Sequence, residues 1–190
     1  MRTPSEVLRE EHEVMGDLLR VLKGMTRTMD RGGRVPRMDL EVALDLIENF
    51  AEKCHHTKED KVVFPVLVTT SPTQGAFLAM RLDEGRRAGR RLVGALPALV
   101  DGVVAGEPSV RSQFTRLLGS YVTILEDQLR QEDGELLPMM DEVLPSRITE
   151  AVSAEFSRIE RDLSCAAGHA RYETAIHDLA DKYSHPSLFA

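Results

Sequence analysis

Two stretches decide the fold of this chain: His55-His56-Thr57-Lys58-Glu59-Asp60-Lys61-Val62-Val63-Phe64-Pro65 and Gln128-Leu129-Arg130-Gln131-Glu132-Asp133-Gly134-Glu135-Leu136-Leu137-Pro138. Each begins with a side chain able to ligate a metal or form hydrogen bonds, has a glutamate four residues on, and closes with an apolar pair and a proline. On a helix, positions i and i+4 lie on one face, so His55 and Glu59 point at one spot, as do Gln128 and Glu132. Two such helices facing one another build a metal site in the core of a bundle.

Both stretches lie inside apolar stripes. The second helix reads Leu44, Ile47, Ala51, His55, Glu59, Val62, Val66, and the fourth Tyr121, Leu125, Gln128, Glu132, Leu136, Met139. The first reads Leu8, His12, Met15, Leu19, Leu22, with His12 its one polar member. The third is apolar over a wide arc and allows two stripes. One is Phe77, Met80, Glu84, Ala88, Leu92, Ala95; the other is Leu78, Leu82, Gly85, Gly89, Val93, Leu96. Burying an ionised carboxylate costs several kcal/mol unless it is paired or bound to metal. Singly, His12 reads as a satisfied core histidine and Glu59 as a solvated residue at a bundle end. Jointly, His12, His55, Glu59 and Glu132 point to a metal site, and imidazole with carboxylate suits iron, manganese or zinc rather than calcium.

Punctuation by proline and glycine predicts five helices. The first follows Pro4, with Ser5 as its cap, and runs to Arg31-Gly32-Gly33. The second runs from Pro36–Asp39 to Phe64-Pro65, and the third from the Ser71–Gly75 loop to about Val104. The fourth runs from Gly106–Ser109 to between Pro138 and Leu144, and the fifth from 146 to 183. Short connections favour antiparallel neighbours. The expectation is an all-α single domain, 1–190: an antiparallel up-down-up-down four-helix bundle over about 4–144, with an additional C-terminal fifth helix over about 146–183.

The bulk numbers agree. The chain has 190 residues, 42% of them hydrophobic, 29% charged and 5% aromatic, with no Trp, a helix-rich profile with a core of useful size. A net charge of -7 gives nucleic acid no electrostatic footprint. The one basic patch, Arg86, Arg87, Arg90 and Arg91, reads as a solvated helix face. Cys54 and Cys165 are too few for a disulfide framework; Cys54, beside the site, reads as a small buried residue, with a sulfur ligand as the sharper alternative. The start is broken up by Arg2, Glu6, Arg9, Glu10 and Glu11, and no run approaches the ~18 apolar residues of a membrane span. A cytoplasmic location, with no membrane and no nucleic-acid partner, is the expectation. No serine triad, phosphate loop or dinucleotide fingerprint is present.

With these residues in view, the chain resembles the hemerythrin-like family, the HHE cation-binding proteins. The matching elements are Glu11-His12, Cys54 to Asp60 with Phe64-Pro65, Gln131-Glu132-Asp133 with Leu137-Pro138, the Met80 to Arg90 stretch, and Phe156–Glu160 with Gly168–Tyr172 in the tail. The resemblance implies a non-haem di-iron centre with carboxylates bridging two ions. It carries over His12, His55, Glu59 and Glu132 as ligands. Gln128 stands where the fourth-helix histidine belongs, as a weak metal ligand or, alternatively, a hydrogen-bonding group to a metal-bound water. The third helix has no histidine; aligning from Gly75 and Met80 puts Glu84 at that position, whereas aligning on the Gly-Arg pairs puts Leu82 or Arg86 there. Glu84 is the preferred reading, as a carboxylate on an apolar stripe. His56 is expected beside the site or facing solvent, and His169 and Tyr172 are weaker replacement ligands.

Two functions follow from the resemblance. One is an iron protein that handles O2, peroxide, nitric oxide or iron itself, with peroxidase- or oxidase-like activity among the options and no substrate identifiable. The other is a degenerate, metal-free module for interaction or sensing. A single zinc or manganese ion serving a hydrolase or redox enzyme ranks last.

Overall fold

A computed structural model describes residues 2–163 and 165–183, and for 165–170 the backbone alone. No strand occurs among the described residues. Helix α1 spans Pro4–Asp30. Helix α2 covers 37–70 without interruption, beginning as Arg37–Asp45 and ending as Phe64–Thr70. Helix α3 is Pro72–Ala95, followed by a 3-10 turn, Pro97–Leu99, and the short α4, Val100–Ala105. Helix α5 covers 108–143, and α6 (Ser146–Asp162) and α7 (Cys165–Tyr183) complete the chain. Helix α1 packs along α5 and α7, α3 along α5, the end of α2 along α3, and α6 across α1 and α2.

Several boundaries differ from expectation, each for a local reason. The cap of α1 is Thr3, two residues before Ser5: its hydroxyl accepts from Glu6 N–H while the Glu6 carboxylate accepts from Thr3 N–H, a reciprocal capping box. Phe64-Pro65 does not end α2, nor Pro138 α5. A proline lacks the donor for the carbonyl four residues back and its ring collides with that carbonyl. For Pro65 that carbonyl is Lys61 and for Pro138 it is Gly134, and both lie in widened, π-helical turns, Glu59–Val63 and Glu132–Leu136. There Phe64 N–H reaches Glu59 O and Leu137 N–H reaches Glu132 O, five residues back, so the helix opens just where the ring needs room.

The expected Ser71–Gly75 loop shrinks to Ser71 alone, because Pro72 suits the first turn of α3. Gly75 permits this corner: a Cβ there would lie 2.5 Å from Leu67 O. Helix α3 stops at Ala95 rather than Val104, broken by Pro97. The predicted fifth helix is two helices, parted at Leu163.

A further π-helical segment, Leu46–His55, precedes the site. The spacing Ile47, Ala51, His55, Glu59 repeats every four residues. On an α-helix of 3.6 residues per turn that row drifts by about 40° per step; wider turns absorb the drift, and all four side chains are buried.

The core has two apolar parts with a polar layer between them. One part holds Met15, Ala51, Val93 and Leu129 with their neighbours; the other holds Leu8, Val62, Leu82 and Leu136 with theirs. Along each of the helices α1, α2, α3 and α5, the residue between the two parts is charged or polar: His12, His55 with Glu59, Arg86, and Glu132. Apolar layers above and below therefore wall this stratum from water.

Helix α7 seats on α1 at Gly24, where an added Cβ would overlap the carbonyl of Tyr183. Beside this contact, Tyr183 O–H donates to Asp39 Oδ2 (2.6 Å) and Lys182 Nζ to Asp39 Oδ1 (2.9 Å). Gly→Ala inside a helix ordinarily stabilises by about 1 kcal/mol. Gly24→Ala is expected to do the reverse, destabilising by about 1–3 kcal/mol through overpacking; a thermal melt lowered by several degrees checks it.

Candidate metal centre

Four side chains from three helices converge in the polar layer: His12 (α1), His55 and Glu59 (α2) and Glu132 (α5). One ligand atom from each lies within 4.8 Å of all the others, and all four residues are buried. His12 Nε2 is 3.5 Å from Glu132 Oε2. His55 Nε2 is 3.6 Å from Glu59 Oε2 and 3.9 Å from Glu132 Oε2.

Each imidazole is oriented from behind. His12 Nδ1–H donates to Asp133 Oδ1 (2.7 Å) and His55 Nδ1–H to Glu11 Oε2 (2.9 Å). A carboxylate on Nδ1 fixes the ring and turns Nε2 inward, the arrangement that supports histidine ligands to metals. Glu11 is in turn held by Lys58 Nζ, which also donates to Glu160 Oε1 (2.7 Å) and sits 5.6 Å from the Phe156 ring. Lys58 is fully buried and ties α2 to α1 and α6.

The third helix contributes a cation. Arg86 is fully buried. Its Nη2 donates to Glu59 Oε2 and to Glu132 Oε1 (2.8 Å), its Nη1 to Asp60 Oδ1 (2.6 Å), and its guanidinium lies 4.6 Å from the Phe64 ring centroid. The repeated Glu-Asp pair thus has a repeated logic: Glu59 and Glu132 face inward, while Asp60 holds Arg86 and Asp133 holds His12.

Charge and burial set the proton affinities. Burial opposes ionisation of Glu11, but the His55 hydrogen bond and the Lys58 charge outweigh it and hold its carboxyl down to about 2. Burial likewise disfavours imidazolium at His55, yet Glu59, Glu11 and Glu132 raise it to about 10. Glu59 is pushed up by burial and by Glu132, against the pull of Arg86. For Glu132, burial is overcome by the nearby His55 imidazole and the charge of Arg86, so it stays ionised. Two carboxylates on one guanidinium are thereby driven apart.

Burial without a partner is the observation that bears on a ligand. His12 Nε2, His55 Nε2, Glu59 Oε1 and Glu132 Oε2 are all buried and lack a hydrogen-bond partner, and so are Arg86 Nε, Gln128 Nε2 and His56 Nε2. Stranded polar atoms each cost about 1–3 kcal/mol, and native proteins keep few of them. Two imidazole nitrogens and Glu132 Oε2 converging without partners, with Glu59 beside them, fit a transition-metal ion in donor type and in separation.

Of the candidates read from sequence, His12, His55, Glu59 and Glu132 come together. Gln128 is buried one turn before Glu132, with its side chain at van der Waals distance from the position a Cβ on Gly85 would take. Glu84 does not join them: it is exposed, because α3 turns its other stripe inward, with Leu78, Leu82, Arg86, Gly89 and Val93 buried and Phe77 and Met80 in solvent. Arg86 likewise departs from the solvated face expected of the arginine cluster. His56 is buried rather than solvent-facing; its Nδ1–H donates to Glu52 Oε2 (3.0 Å). Tyr172 packs on Phe50 (5.6 Å between rings) in the apolar core, outside the cluster. The His169 side chain lies outside the described residues. Cys54 is buried and disulfide-bonded, which takes its sulfur out of ligation.

Sequence reasoning missed Arg86, Lys58, Asp60 and Asp133. The signal for the two aspartates was present, since the whole Glu-Asp pair recurs. Lys58, between two inward-facing residues, carried none.

Comparisons with known proteins agree with this geometry. The sequence model of the family described as Hemerythrin HHE cation binding domain matches residues 3–140. Uncharacterized proteins of Mycobacterium tuberculosis and Mycobacterium bovis are 22% identical over 179 residues, covering 94% of this chain and 68% of theirs. No solved structure matches the chain.

Proposed function

The chain belongs to the hemerythrin HHE cation-binding family, and from that membership we propose that its polar layer is a non-haem iron centre that handles O2, peroxide, nitric oxide or iron itself. The convergence of four buried side chains, each with an unpartnered polar atom, carries the reading. In this reading α1, α2, α3 and α5 form an antiparallel up-down-up-down bundle, with the later helices packed on one side. His12, His55, Glu59 and Glu132 are the ligands, and Gln128 is a hydrogen-bond donor beside them. Iron, when bound, supplies redox chemistry and an affinity for small ligands; manganese and zinc suit the same donors.

The chain's own residues do the rest. Asp133 and Glu11 hold the imidazoles at Nδ1 with Nε2 aimed inward, Lys58 keeps Glu11 ionised, and the two apolar parts of the core exclude bulk water. The Gln128 and Arg86 N–H groups are positioned to hold an oxygen-bearing or anionic ligand. A cleft of about 680 Å³, lined by Glu10, Glu11, Phe50, Phe156 and Glu160 among others, opens between α1 and α6 and reaches Glu11. Its carboxylates suit the approach of a cation.

Protein purified without chelator or a metal-affinity column should carry stoichiometric iron by inductively coupled plasma mass spectrometry, and His55→Ala and Glu59→Ala should lose it. Equal metal in all three proteins would sink the proposal. One observation favours the metal-free alternative: Arg86 neutralises part of the carboxylate charge from within. On that reading the thermal melt is indifferent to chelator and to added iron, whereas a bound ion stabilises the fold.

A further inference from the structure

This inference rests on the iron reading above and concerns how many ions the centre takes. A metal ion that bridges two carboxylates places positive charge between one oxygen of each. Arg86 Nη2 does this already: the same nitrogen meets Glu59 Oε2 and Glu132 Oε1. The guanidinium is anchored by Asp60 and the Phe64 ring and is fully buried. We propose that the centre binds a single metal ion on its His12–His55 side, and that the Arg86 guanidinium permanently fills the place of a second.

The unpartnered atoms are arranged for one ion. His12 Nε2 and His55 Nε2 lie 3.5 and 3.9 Å from Glu132 Oε2, and Glu59 closes the group. Two imidazoles and a carboxylate on one face are a ligand set known to hold a single non-haem iron and leave positions open. On the far side α3 brings no imidazole or carboxylate inward, since Glu84 is exposed and Asp83 pairs with Arg87 at the surface. Charge points the same way. The three carboxylates that meet Arg86, Glu59, Asp60 and Glu132, are balanced by one guanidinium and one divalent cation. A second divalent ion would add two positive charges beside a buried cation and would find no imidazole or carboxylate on α3.

Arginine is fit for this place because it stays charged in any protein setting and its planar fork satisfies carboxylates on two sides. It exchanges no electrons, so a centre built this way works through one metal and keeps a fixed hydrogen-bond donor beside it.

The test removes the charge. Metal-free protein is loaded anaerobically with ferrous iron, desalted, assayed for iron per chain, then oxidised and examined by electron paramagnetic resonance. Wild type is expected to hold about one iron per chain and to show an isolated high-spin ferric signal. Arg86→Gln, which removes the cation, and Arg86→His, which replaces the permanent cation with a group that can deprotonate and ligate, are expected to approach about two irons, with the signal diminished by coupling between adjacent ferric ions. Arg86→Lys keeps a positive charge and stays at about one. Circular dichroism confirms folding, and Arg86→Gln decides if Arg86→His does not fold. Two irons in wild type would overturn this inference and leave the iron reading standing. One iron in both charge-removing variants would overturn it equally, and no iron in wild type would sink both readings.

Discussion

Lys58→Ala is expected to destabilise the protein by about 3–5 kcal/mol, the range for stripping one partner from a buried ion pair. The melting temperature should fall by on the order of 10 °C for a chain of this size. Lys58 is fully buried and its ammonium meets Glu11 and Glu160. Without it the Glu11 carboxylate faces burial with its main cationic partner gone; its pKa rises and it protonates. A neutral Glu11 orients His55 less well, so iron affinity should drop by roughly 10–100-fold, the usual effect of losing a ligand's supporting partner. The double variant Lys58→Met, Glu11→Gln separates the two effects. Removing both charges should recover much of the stability and none of the affinity. Full recovery of affinity would show that Glu11 does not act through His55.

The second large effect is at Glu132. Glu132→Ala removes an inward oxygen from His12 and His55 and one of the two carboxylates on Arg86 Nη2. Arg86 keeps Glu59 and Asp60, so the cost belongs at the low end of the range for broken buried pairs, about 3 kcal/mol. Metal binding should be lost. Glu132→Gln preserves shape and an acceptor for Arg86 but carries no charge, so it should fold nearly as well as wild type and still fail to retain iron. Wild-type iron content in Glu132→Gln would mean that Glu132 serves the fold rather than the metal.

What was legible in the sequence follows from which residues interrupt a regular pattern. His12, His55, Glu59 and Glu132 stood out because each interrupts an apolar row whose facing was unambiguous. The third helix was ambiguous because its apolar residues cover too wide an arc. Phe77 and Met80 drew the reading to the Glu84 stripe, yet those two are exposed at 57% and 66%. Arg86 was hidden among four arginines that resemble a solvated face, although Leu78, Leu82, Arg86, Gly89 and Val93 keep helical spacing and one alignment placed Arg86 at the ligand position.

The π-helical turns were not legible as such. Their trace in the sequence is a glutamate followed six residues later by proline, twice, which reads first as a helix end. The helix continues because the widened turn removes the clash that would have ended it. Such turns recur at functional sites, and here the two that precede a proline, Glu59–Val63 and Glu132–Leu136, each begin at a proposed ligand.

Iron bound at the polar layer would sit among His12, His55, Glu59 and Glu132. The most direct test is an anomalous difference map at the iron absorption edge, from crystals of iron-loaded protein. The expected result is a peak bounded by His12 Nε2, His55 Nε2 and the two glutamates, with Arg86 still spanning Glu59 and Glu132. A peak only at surface carboxylates, or none in the polar layer, would contradict it.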